Sequence, residues 1–229
     1  MLPNCVFEIR SLMKYLPIFI VFVVFSLNGY TQVINIKAGP AFSGMKWENS
    51  LASTDDYFNE IYVGLYTAIG LDYLQKKGFS LSSNIGYFTN GGKGTFRFLD
   101  ELGVSRDTTQ ITKLQFFTLN TLANYHFFAE KTLSPFIGLG IGLNYQVSYD
   151  ENVKLLEQFD EEDELNIILW GLIGKAGINV NLDHFRVGME FMYNYNLNKL
   201  VDYEGMPGFS NQVTVNYFAV LFSVGYRLN

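Results

Sequence analysis

From residue 33 onward, large apolar side chains recur at every second position, with glycine or small polar groups between them. The clearest case is "SPFIGLGIGLNYQVSY", residues 134–149. Ile137, Leu139, Ile141, Leu143, Tyr145, Val147 and Tyr149 form one set. Gly138, Gly140, Gly142, Asn144, Gln146 and Ser148 form the other. A period of two is the mark of a strand whose two faces meet different surroundings. The same pattern predicts strands over 33–46, 59–73, 78–89, 111–128, 166–181, 184–197 and 212–228. With 134–149 that makes eight, and no long amphipathic helix interrupts them.

The joints alternate in length. "QKKG", "AEKTLS" and "NLDH" are tight connections, whereas residues 47–58, 90–110, 150–165 and 198–211 are long ones. Outer-membrane barrels are built this way, with short periplasmic turns and longer external loops. A soluble barrel has no need for two unlike ends.

The orientation of the faces decides between the two. In a soluble barrel the oily column points inward and a charged face meets water. Here the opposite face of residues 134–149 is glycine, Asn, Gln and Ser, short of the Lys and Glu that solubilise a surface. Turned the other way, the oily column meets hydrocarbon and the small groups fill a narrow lumen. Asp72, Lys175, Arg186, Glu190 and Arg227 all fall on the small-residue faces, as the cost of charge in lipid requires. The expected fold is therefore all-β: an eight-stranded antiparallel up-and-down transmembrane barrel. Lipid offers no hydrogen-bond partners, so such a sheet has to close on itself.

Composition agrees. The 229 residues fit one domain, with 17% aromatic and only 17% charged side chains. A net charge of −6 excludes nucleic acid as a partner, because phosphate backbones demand basic patches. The stretch from Met13 places Lys14 before an apolar run, Leu16 to Leu27, followed by small or polar residues near Gly29 and Thr31. That is the order of a secretory signal peptide, and its run of about 12 apolar residues is short for a membrane-spanning helix. The expected division is a signal segment over 1–31, with 1–12 a spare leader, and a barrel domain over 32–229. Cys5 falls in the leader, so the exported chain carries no thiol chemistry.

Motifs for chemistry are weak. "GLGIGL" has the glycines of a phosphate loop but lies within a strand, with no helix after it. The acidic run Asp150, Glu151, Glu157, Asp160, Glu161, Glu162, Asp163 and Glu164 lacks the spacing and the glycine turn of a calcium loop, and reads as a solvated loop. His126 and His184 have no metal-ligand spacing. No cofactor, metal or catalytic constellation is implied, and no enzymatic role is expected. The one candidate cluster is a lumen network of Lys175, Arg186, Glu190 and Arg227 on strands six to eight. It is either a buried ionic ladder or a set of hydrated residues without mutual contact.

The wording of "INIKAGPAFSG", "VGLYTAIGLDYLQKKGFSLSSNIGYFTNGG", "LANYHFF", "SPFIGLGIGLNY" and "FSVGYRLN" resembles the small outer-membrane β-barrel family of Bacteroidetes-type bacteria, the PorT-like proteins. The likeness covers about residues 32–229 and rests on strand order and the second-to-third hairpin. It implies residence in the outer membrane of a Gram-negative cell, in a barrel of largely unassigned role. The implied partners are outer-membrane lipid and lipopolysaccharide, the barrel assembly machinery, and an unidentified protein reached through the external loops. The expected function is a structural or interaction scaffold. Its alternatives are a transporter or porin for small or apolar solutes and an accessory component of protein secretion.

Overall fold

The computed structural model describes residues 32–49, 60–99, 105–149, 165–204 and 210–228. The expected signal segment with Cys5, and the acidic run from Asp150 to Glu164, lie outside the described residues. Within them the strands are β1 (Gln32–Asn49), β2 (Tyr62–Lys76), β3 (Phe79–Leu99), β4 (Ser105–His126), β5 (Leu133–Tyr149), β6 (Ile168–Asn181), β7 (Phe185–Asn196), β8 (Val201–Glu204) and β9 (Ser210–Leu228). β1 to β7 pair antiparallel in sequence order, β7 pairs with β9, and β1 pairs with β9 to close the sheet. The short β8 pairs with the outer part of β9, beyond the stretch that β7 covers. It acts as the broken-off end of the seventh stave, so the wall is an eight-stranded antiparallel barrel.

The faces are disposed as the period-two pattern requires. The apolar residues of β5 from Ile137 to Val147 are all exposed, with Leu139 74% accessible, while Gly138, Gly142, Asn144 and Gln146 are buried. In β7 the alternation is perfect, from exposed Phe185 to buried Asn196. A surface this apolar is stable only against hydrocarbon. Leu139→Arg is accordingly expected to cost about 2–4 kcal/mol if Leu139 lies near the bilayer midplane. Urea titration of the protein in lipid vesicles measures this, and an unchanged midpoint would mean that the face does not meet lipid.

Several boundaries differ from the sequence reading. Residues 90–110 are not chiefly a loop: β3 and β4 stay paired from Gly91↔Lys113 to Leu99↔Ser105. Spanning needs only about 9–11 residues per strand, so these strands of 21 and 22 residues project beyond the membrane. Out there neither face requires oil, and the threonines and charges of this hairpin hid its period. Residues 201–204 and 210–211, expected in a loop, are likewise strand. At the other end the two-residue turn Lys77–Gly78 has φ of 49° and 87°, the positive values a tight hairpin demands.

The lumen is a second correction. It is not simply polar and glycine-rich. Its half nearer the long joints is packed with Met45, Tyr66, Phe88, Leu114, Phe116, Leu169, Ile173, Val213, Val215 and Tyr217, all but inaccessible. The buried charges gather toward the end of the tight turns, while Ser43, Asn90, Asn144 and Asn196 lie among the apolar side chains. Tyr73 keeps the outward parity expected of it but lies buried against the wall, its hydroxyl 3.1 Å from Ser83 Oγ on the same face.

Candidate functional site

The polar half of the lumen is built by inward positions of β1, β2, β4, β6 and β7. Glu190, near the middle of β7, projects between two lysines. Lys37 Nζ, from β1, donates to both its oxygens at 2.9 and 3.1 Å, and Lys175 Nζ, from β6, stands 3.7 Å away. All three side chains are 4–6% exposed. Nearer the tight-turn end, Arg186 Nη1 donates to Asp72 of β2 at 3.1 Å, and its Nε donates to Asn181 Oδ1 at 3.0 Å. Both ion pairs reach over β9, which separates β7 from β1 in the wall. They tie β7 to β1 and β2 along the inner surface of the wall.

The inward glycines make this possible. A Cβ at Gly138 would collide with Asn124 Oδ1 and lie 3.0 Å from Lys175 Cε. Leaving that position bare lets the Lys175 stem lie across β5. At Gly188 the neighbours are Asn179 Oδ1 and Ser223 Oγ, the latter at 2.8 Å. Glycine on this face is space ceded to the long polar side chains of the adjoining staves.

The four residues expected to share one network separate into three settings. Lys175 and Glu190 belong to one cluster, and Arg186 belongs to a second pair. Arg227 joins neither: it lies at the rim, in register with Val33, and its Nη1 donates to the Asp183 carbonyl at 3.4 Å. Lys37 was not among the four. Parity carried the signal, since Lys37 falls between the exposed Ile36 and Ala38, but its nearness to Glu190 follows only from closure. His126 faces the same interior, with Nε2 3.0 Å from Ser80 Oγ and its ring 5.4 Å from that of Phe136. His184 lies in a tight turn beside Tyr226. Among the described residues no three His, Cys, Asp or Glu side chains are placed to hold a metal.

Between these groups lies a polar cavity of about 20 Å³, the room of a single water molecule. Above it, aromatic rings close the bore. Phe88 stacks on Phe116 at 5.2 Å between centroids and meets Tyr217 at 4.4 Å and Tyr66 at 5.9 Å. Asn120 Nδ2 satisfies the Tyr66 hydroxyl at 3.0 Å, and Asn144 Nδ2 donates to Asn196 Oδ1 at 3.0 Å. Outside the wall, Glu60 precedes β2 and pairs with Lys93 at 2.7 Å. Hydrogen bonds from Lys93 and Thr95 hold its carboxyl below the ordinary glutamate value.

A closed sheet with an oily exterior and ions sealed within defines an integral membrane β-barrel, and a barrel with one tight-turned and one long-looped end is of the outer-membrane type. A family model described as "Outer membrane protein beta-barrel domain" matches residues 32–202, and the chain belongs to that family. It is a protein of the outer membrane. Among solved structures it is similar to the outer membrane protein OprG from Pseudomonas aeruginosa, with TM-score 0.52, 14% identity, and coverage of 87% of this chain and 97% of that one. Neisserial surface protein A gives TM-score 0.46 and 13% identity, over 85% of this chain and 97% of that one. At such identities the first likeness speaks for the fold alone. No curated protein matches the sequence.

Proposed function

We propose that this protein is a non-enzymatic scaffold that works through its outer end and not through its bore. The observation that carries this reading is the filled lumen. Aromatic rings obstruct one half, ion pairs cross the other, and the cavity left between the ions has room for about one water. What the wall offers instead is a platform. The β3–β4 hairpin and the outer parts of β1 and β9 rise past the stretch that crosses the membrane, on the side of the long joints. A protein partner met there, with lipid and lipopolysaccharide around the wall and the assembly machinery inserting it, fits that geometry. The PorT-like placement is part of the same proposal, supported by the wording of the β2–β3 hairpin, and it makes an accessory role in secretion the second reading. A solute route is disfavoured by the packed interior.

Planar-bilayer recording tests this together with affinity capture by the folded protein in detergent. The expected result is no unitary conductance in the wild type and retention of one defined partner, lost when the β3–β4 hairpin is shortened. Steady single-channel steps would overturn the closed-lumen reading.

A further inference from the structure

The polar half of the lumen does not balance its charge. Among the described residues, Lys37, Lys175 and Arg186 face only Asp72 and Glu190, with His126 beside them bonded to a serine hydroxyl. Lys37 occupies both oxygens of Glu190, and Arg186 has Asp72. Lys175 shares Glu190 at 3.7 Å and has no carboxylate of its own. Its side chain is 4% exposed, yet its nearest partners are Ser82 Oγ at 3.5 Å and Glu190 at 3.7 Å, with the Phe136 ring centroid at 5.3 Å. A charge-assisted hydrogen bond is shorter, about 2.7–2.9 Å. A buried cation held this loosely is costly unless something else meets it.

The space for that something is present. The cavity is lined by Lys37, Lys175, Arg186, Asn35, Asn124 and Asn179. Asn35 and Asn124 are buried there with amide oxygens that have no partner, and a carboxamide turned over presents N–H to the same space. From this geometry we infer that the barrel binds a small monovalent anion of halide size in this cavity, held by the Lys175 ammonium and neighbouring amide and guanidinium donors. The volume excludes phosphate or sulfate, and one negative charge brings the cluster to neutrality. The site goes beyond the scaffold reading, which needs only a closed bore, so either can fail without the other.

Thermal unfolding in detergent tests the inference, with sodium chloride compared against sodium gluconate at equal ionic strength. The wild-type midpoint is expected to rise by about 3–5 °C per tenfold chloride above half-saturation and to stay flat in gluconate. Lys175→Gln leaves two balanced pairs and is expected to abolish the chloride response. Crystals of the wild type grown in bromide are expected to show an anomalous peak beside Lys175 Nζ, which decides the matter should the variant fail to fold. An identical chloride response in K175Q, or bromide crystals with no peak in the cavity, would show that water alone fills it and overturn the inference.

Discussion

Glu190→Ala is expected to lower the stability of the folded barrel by about 3–5 kcal/mol, the usual cost of stripping a buried ion pair of one partner. The size follows from what remains. Lys37 and Lys175 would both be sealed in the lumen without their only carboxylate, in a place where bulk water cannot solvate them. Urea unfolding in lipid vesicles reads the change, with band shift on unheated gels as an independent check of closure. Adding Lys37→Met to Glu190→Ala removes one stranded charge and is expected to recover part of the loss. If the single variant unfolds at the wild-type midpoint, the Lys37–Glu190–Lys175 cluster does not hold the barrel.

A loss of similar size, about 3–5 kcal/mol, is expected for Phe88→Ala. Phe88 is 1% exposed and touches three other rings, Phe116, Tyr217 and Tyr66, which come from β4, β9 and β2. Truncating it leaves a cavity bounded by stiff rings on opposed staves, which the closed wall cannot collapse to fill. The same urea titration measures it, and conductance should remain absent because the other rings still block the bore. A change below about 1 kcal/mol would mean that the ring cluster is incidental to stability.

The wall was legible in the sequence because lipid enforces a strict rule on it. Every second residue of β5 and β7 must be oily, and the eye finds a period of two. The contents of the lumen obey no such rule. Inward positions take Gly138, Lys175, Leu169 or Tyr66 according to what the opposite stave presents, and one stretch of chain does not disclose its opposite. Hence Glu190 and Lys175, on adjoining strands, can be placed near each other from the sequence, while Lys37, 153 positions from Glu190, cannot. The aromatic plug was missed for a related reason: Phe116 and Phe117 are consecutive, so large apolar residues on both faces blurred the alternation of β4. The projecting β3–β4 hairpin escaped because, clear of hydrocarbon, its composition is that of a loop.

The seam between β1 and β9 has a consequence for how the molecule comes into being. Gln32 lies opposite Leu228, so the pairing that completes the cylinder joins residues 196 positions apart in sequence. Contacts so remote in sequence form slowly, because a long stretch of polypeptide must be ordered before they reward it. Without β9 both β1 and β7 would present bare edges to hydrocarbon, a state that lipid does not tolerate. Closure of the wall therefore waits for β9.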